Sequence, residues 1–138
     1  MVLIIITLYN CIRKSNYNAD GYLDGIDVVR QDYKELFAKY KDCPNVVFLV
    51  DPPYLSTDVS TYKGYWKLVD YLNVLNVLKN SNYFYFTSNK SQIIELCEWL
   101  ETQSATLNPI FGAKIECVQG KAMYKTKYTD MMIYKQVS

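Results

Sequence analysis

The stretch Val46-Val47-Phe48-Leu49-Val50-Asp51-Pro52-Pro53-Tyr54 decides the fold class. Its first five residues form an unbroken apolar run. Such a run is typical of a strand covered on both faces, as in a parallel sheet. It ends on a carboxylate followed at once by two prolines. Neither proline has an N–H, each fixes its own φ, and each pushes the preceding residue towards extended geometry. The backbone therefore leaves the strand on one path, with its carbonyls free to accept from outside the chain. Asp51 is an acceptor in the same place, and Tyr54 supplies a flat face. Two acceptors beside an aromatic platform suit an exocyclic amine on a flat heterocycle. Ligands in open α/β sheets bind outside the carboxyl ends of the strands, where this tetrapeptide falls. The plain alternative is a turn, since Asp and Pro are common turn formers.

Working outward, Asp32 precedes Tyr33-Lys34-Glu35 in a pattern resembling a capping box. It predicts a helix over 33–41 with Leu36, Phe37 and Tyr40 on one side, and Pro44 marks the exit. Farther upstream, Ile26 to Arg30 is a short strand candidate. Residues 13–25 are polar and turn-rich, hence loop, and residues 1–12 read as a strand or apolar fragment. Downstream, a polar loop from Ser56 to Gly64 leads to Leu68, Leu72 and Leu75 at helical spacing, which predicts a helix over 65–79. Tyr83 to Thr87 is the next strand. Asn89 is a candidate cap for the following helix, with Gln92 at the third position and Ile93, Cys97 and Leu100 on one face. Lys114 to Val118 and Met131 to Val137 form a closing pair of strands around a long loop. This alternation predicts an α/β fold, a mostly parallel sheet with covering helices, ending in an antiparallel hairpin.

Composition narrows the function classes. The 138 residues suggest one domain, long enough for a core without disulfide staples. Half the residues are hydrophobic, which excludes a disordered tail. A formal charge of +1 gives no global basic field, so nucleic-acid contact would depend on local patches. The 14 Tyr and 5 Phe belong mostly to sheet and core. There is no His, which removes the commonest general base and metal ligand near neutral pH. Cys11, Cys43, Cys97 and Cys117 contain no C-x-x-C pair, which argues against zinc and for buried, reduced thiols in a cytoplasmic protein. The apolar start, Val2 to Ile6, is too short to span a membrane and lacks a preceding basic segment, so no membrane association is expected.

The pattern resembles the DNA adenine-N6 methyltransferases, which use S-adenosylmethionine. The resemblance rests on Asp51-Pro52-Pro53-Tyr54 at the carboxyl end of a core strand, on the flanks Phe48-Leu49-Val50 and Leu55-Ser56-Thr57-Asp58, and on Tyr65-Trp66-Lys67-Leu68 and Phe86-Thr87-Ser88-Asn89-Lys90-Ser91. It covers roughly residues 20–138. It implies a Rossmann-like methyltransferase sheet, here in truncated form. Residues 1–25 would be a remnant of the target-recognition region and residues 26–138 the C-terminal catalytic half. The family's Phe-x-Gly-x-Gly donor-binding turn is absent from the chain, whose five glycines form no cluster. By resemblance, Asp51 and the carbonyl of Pro52 accept from the N6 amine of a target adenine. Pro53 holds their geometry and Tyr54 stacks on the base, which must be flipped from the duplex. Asp32, with Asp51 on the neighbouring strand end, would lie against the cofactor; Asp32 is equally explained as a helix cap.

For DNA, the segment from Lys121 to Tyr128 interleaves Lys121, Lys125 and Lys127 with Tyr124 and Tyr128, which suits phosphate contact plus base stacking. A solvated hairpin loop explains it as well. Thr57, Tyr62 and Lys63 follow the motif and are placed at the pocket mouth. Arg13, Lys14 and Tyr17 are either remnants of DNA recognition or a basic surface loop. Trp66 is expected in the core, and Ser88 and Asn89 end a strand on the same edge as Asp51. Three function classes stay open. The first is the target-base half of an adenine-N6 DNA methyltransferase. The second methylates another planar amine, such as cytosine N4, an RNA base or a protein glutamine. The third is a catalytically inactive remnant or subunit acting as a DNA-binding or interaction module. A half-domain exposes sheet edges and apolar faces, so a homodimer or a complementing N-terminal half is expected as partner.

Overall fold

A computed structural model describes residues 20–55, 66–121 and 127–137. The expected strand over 1–12, and Arg13, Lys14, Tyr17, Thr57, Tyr62, Lys63, Tyr124 and Lys125, lie outside the described residues. The elements run α1 (Tyr33–Tyr40), β1 (Val47–Val50), α2 (Leu68–Leu78), β2 (Asn82–Ser88), α3 (Ile93–Gln103), a 3-10 turn (Ala105–Leu107), β3 (Lys114–Lys121) and β4 (Lys127–Lys135). They form an α/β fold around a four-stranded mixed sheet of order β1-β2-β4-β3. β1 pairs parallel to β2, while β4 pairs antiparallel to both β2 and β3.

The sheet is therefore not mostly parallel among the described residues. One cause is local. Ile26 to Arg30 forms no strand, and Val28 and Val29 are exposed. A strand exists only by pairing, and this stretch pairs with no described strand.

Strand alternation sorts the side chains cleanly. Phe48 and Val50 of β1, Tyr83 and Tyr85 of β2, and Ile133 of β4 are all buried, and the register puts them on one face. They join Phe37 of α1, Tyr71, Val74, Leu75 and Leu78 of α2, and Ile93 and Cys97 of α3 in a single core cluster. Each large apolar side chain so buried contributes roughly 1.5–3 kcal/mol. The three helices thus cover the same face of the sheet.

Local chemistry explains the helix ends. Asp32 caps α1 by accepting from the Lys34 N–H at 2.8 Å. Glu35 does not close the expected capping box; it accepts from the Gln31 amide at 2.9 Å. α2 begins at Leu68, where the Asp70 carboxylate accepts from the Lys67 N–H at 2.9 Å. Its buried stripe is Tyr71, Val74, Leu75 and Leu78, with Leu68 exposed. The expected Leu68-Leu72-Leu75 stripe is displaced by one that starts on a ring. Asn45 enters β1 with φ 62°, the left-handed conformation asparagine tolerates better than most residues. α3 starts one turn later than expected, with Gln92 rather than Asn89 at the N-cap.

Trp66 packs against the core as expected, 4.7 Å from Tyr33 and 5.2 Å from Tyr71 between ring centroids. Cys11 lies outside the described residues, and among the described cysteines the expectation holds only for Cys97. Cys43 and Cys117 are free but exposed, because they sit in the turn after α1 and on an edge strand. No described helix is long and apolar enough to cross a membrane.

Candidate functional site

Asp51 to Tyr54 leave β1 at its carboxyl end and cross towards the start of α3. Both ends of the segment are fixed. Val50 is held in the sheet opposite Tyr85. Leu55 is clamped by two bonds: its N–H donates to Ser91 Oγ at 3.2 Å, and its carbonyl accepts from the Gln92 N–H at 2.9 Å. Between these anchors Pro52 is buried and Pro53 and Tyr54 are half-buried. Two rings without N–H groups and two anchored ends leave the segment little backbone freedom. This is a rigid mount, more than a plain turn requires.

Asp51 comes directly after buried Val50, just past the end of β1, and is exposed. The protein packed behind the carboxyl pushes its pKa above the ordinary carboxylate value, and the negative charge of Asp130 adds to that shift. Asp130 stands in β4 directly opposite Ser88, at the same end of the sheet. The sequence alone did not single out Asp130. Only the β2–β4 register brings it across, and a lone Asp within an alternating strand carries no signal.

Ser88 and Asn89 do end β2 beside this site, with structural duties. Ser88 is fully buried and its Oγ accepts from the Lys90 N–H at 3.2 Å. Asn89 does not cap α3. Its side-chain carbonyl accepts from the Thr129 N–H at 2.9 Å, and its own N–H donates to the Thr129 carbonyl at 3.0 Å. It fastens the β3–β4 hairpin to the end of β2.

The hairpin runs three residue pairs past Asp130, through Gln119↔Thr129, Gly120↔Tyr128 and Lys121↔Lys127. At about 3.3 Å per residue it projects roughly 10 Å beyond the end of β2. Lys121 and Lys127 are therefore carried at the Asp51 end of the sheet, opposite each other on the two strands. Lys90 Nζ lies 5.4 Å from the Tyr128 ring centroid. A cation and an aromatic ring thus meet at the base of the same arm.

Asp32 is placed as a cap, its carboxylate engaged by Lys34. None of Gly21, Gly25 and Gly112, the glycines with positive φ, follows a strand into a helix, which is where a nucleotide-type cradle is built. The described residues do not by themselves fit a donor cradle.

A cavity of about 670 Å³ lies elsewhere, lined by Asn45, Val47, Phe84, Lys114 and Tyr134 among others. It sits at the amino ends of β1 and β2, remote from the strand end that carries Asp51. Ligands of open α/β sheets bind at the carboxyl ends of the strands, the end at which Asp51 lies and this cavity does not.

No family model and no solved structure matches the chain. A Haemophilus influenzae protein named "Putative methyltransferase" is 36% identical to it over 131 residues, which is 92% of this chain and 44% of that relative. The chain therefore spans less than half the length of the relative it is similar to.

Proposed function

We propose that this chain is the target-base half of an enzyme that transfers a methyl group from S-adenosylmethionine to the N6 amine of a flipped adenine in DNA. One observation carries the proposal: a clamped Asp51-Pro52-Pro53-Tyr54 segment presents a carboxylate at the carboxyl end of a parallel strand. The likeness to a protein named as a methyltransferase supports the reaction class. The choice of adenine rests on the resemblance of the motif and its flanks.

In this reading Asp51 and the Pro52 carbonyl accept from the two N6 hydrogens. Both acceptors draw the amine out of conjugation and aim its lone pair. As the nitrogen becomes positive, the Asp51 charge stabilises it, a preorganised electrostatic effect. Asp51 need not remove the proton before attack. Tyr54 stacks on the base, and the projecting hairpin strands that carry Lys121 and Lys127 meet phosphates near the flipped nucleotide. Because the described residues do not form a donor cradle, no step is assigned to them on the donor side.

The test is methyl transfer from labelled S-adenosylmethionine to adenine-containing DNA, with the chain alone and with the unmatched part of the Haemophilus relative added. Transfer that vanishes in Asp51→Ala supports the proposal. Transfer at full rate in Asp51→Ala refutes the role of Asp51. Transfer to cytosine or to a protein amide but not to adenine refutes the substrate. A second reading, an inactive interaction module, is favoured by the missing donor cradle; absence of transfer in both mixtures would select it.

A further inference from the structure

The cavity at the amino ends of β1 and β2, about 670 Å³, has no part in the proposed reaction. Its size falls in the range of small-molecule sites, roughly 300–1,000 Å³. It opens on the sheet face that the helices leave uncovered, where Phe84 and Phe86 are 36% and 37% exposed.

The floor of the cavity is aromatic. Phe84 of β2 and Tyr134 of β4 are cross-strand partners, and their rings stack at 5.8 Å with 21° between the planes. The Tyr134 hydroxyl donates to Glu116 Oε1 at 3.0 Å, which fixes that ring further. The exposed part of the pair offers apolar, polarisable surface to another ring.

The walls are cationic. Lys114 stands opposite Tyr134 on β3, with its ammonium 6.0 Å from the Tyr134 ring centroid. The Lys135 ammonium donates to the Phe111 carbonyl at 3.2 Å and to the Lys79 carbonyl at 3.4 Å. These bonds hold it in place and use two of its three N–H groups. Neither lysine is ion-paired to a carboxylate among the described residues. Two positive charges beside an aromatic floor, with no carboxylate to neutralise them, attract an anion. Asn82 lines the same cavity. Its Oδ1 accepts from the Val137 N–H at 2.8 Å, so its amide NH2 is the group left for a ligand. An asparagine amide suits the edge of a heterocycle.

We infer that this cavity is a binding site for a small flat aromatic anion of the nucleoside monophosphate type. The base lies on Phe84 and Tyr134, the phosphate meets Lys114 and Lys135, and Asn82 donates to the edge of the base. The floor alone would take any ring and the lysines alone any anion; together they select a ligand that carries both. The site lies at the opposite end of the strands from Asp51 and does not rest on the proposed reaction.

The test titrates the full chain with adenosine monophosphate, adenosine and inorganic phosphate by calorimetry, and follows backbone amides by NMR. One mononucleotide per chain is expected, bound about tenfold or more tighter than adenosine or phosphate alone, with shifts at Val47, Asn82 and Gly112. Lys114→Gln should cut mononucleotide affinity by about tenfold and leave adenosine unchanged. Tyr134→Leu should weaken both ligands alike; should its thermal transition show that it does not fold, Phe84→Leu takes its place. No binding overturns the inference, as does full affinity for the mononucleotide in Lys114→Gln. Equal affinity for adenosine overturns the anion. Binding of an adenine oligonucleotide but not of the mononucleotide overturns the free ligand. Shifts at Tyr54 and Asn89 in place of Asn82 and Gly112 would put the ligand at the Asp51 end and overturn the site, while leaving the proposed reaction standing.

Discussion

Replacing Tyr83 with phenylalanine should make the protein more stable. Tyr83 is 1% exposed, on the covered face of β2, and its hydroxyl has no hydrogen-bond partner among the described residues. Leaving a buried hydroxyl unpaired costs roughly 1–3 kcal/mol relative to water. Tyr83→Phe keeps the ring and its packing and removes that cost. The small void left by the oxygen takes back part of the gain, so the net is about 1 kcal/mol. In a chain of this size that is a rise in Tm of roughly 2–5 °C. A second signature appears in alkali. Burial pushes the Tyr83 phenol from 10.0 up to about 12. The folded state therefore holds a proton that the unfolded state releases, and stability falls as pH rises from 10 towards 12. The limiting slope, for one proton, is about 1.4 kcal/mol per pH unit. Tyr83→Phe lacks this loss, so its advantage widens above pH 10. Tyr33, raised to about 12 by burial and by its bond to Asp70, preserves part of the alkaline limb. Urea unfolding at pH 7.5 and at steps through pH 9–11.5 measures both effects. A variant destabilised by about 1 kcal/mol, or an advantage that does not widen in alkali, would show that the hydroxyl is bonded and the reasoning wrong.

Asp51→Asn should lower methyl transfer by about 10²–10³-fold, because the amide keeps an acceptor but loses the charge. Burial raises the Asp51 pKa, so the carboxylate destabilises the fold above the ordinary carboxylate value of 3.8. Thermal melts should show the variant matching the wild type below that pH and exceeding it at neutrality; the reverse order would contradict the shift. Asp70 binds the Tyr33 hydroxyl at 2.6 Å and the Lys67 N–H at 2.9 Å, and lies 3.6 Å from Lys34 Nζ. Asp70→Ala should cost about 1–3 kcal/mol. The Tyr33 bond holds the Asp70 pKa low, so the wild type loses this stability as pH falls through the folded value; acid unfolding of the variant should lack that component. Asn89→Ala frees the Thr129 N–H and should cost about 1 kcal/mol. Amide exchange at Thr129 should quicken while that at Leu75 follows global stability alone.

Much of the mount was legible in the sequence because its causes are local. An apolar run stopped by Asp-Pro-Pro ends a strand whatever surrounds it, and Asp32 before an amphipathic stretch starts a helix. Asp51, Pro52, Pro53 and Tyr54 could thus be placed at a strand end from the residues alone. Asn89 shows the limit of such reasoning. Its side chain is suited equally to a helix cap and to a bond across strands, and the arrival of Thr129, 40 residues on, settles which. Ser91 as the clamp on Leu55 and Asp130 as the second carboxylate were invisible for the same reason, since each acts on a residue far away in the chain.

The sequence by itself determined the order of strands and helices, the rigid exit from β1 and the continuous apolar character of β1 and β2. Only the tertiary structure decided that, among the described residues, Ile26 to Arg30 joins no strand, the sheet is mixed, and the helices fall on one side. Propensity and capping act within a few residues, whereas strand pairing and burial depend on which surfaces meet. The open face around Phe84 and Phe86 belongs to both: the residues say it should be buried, and the fold leaves it exposed.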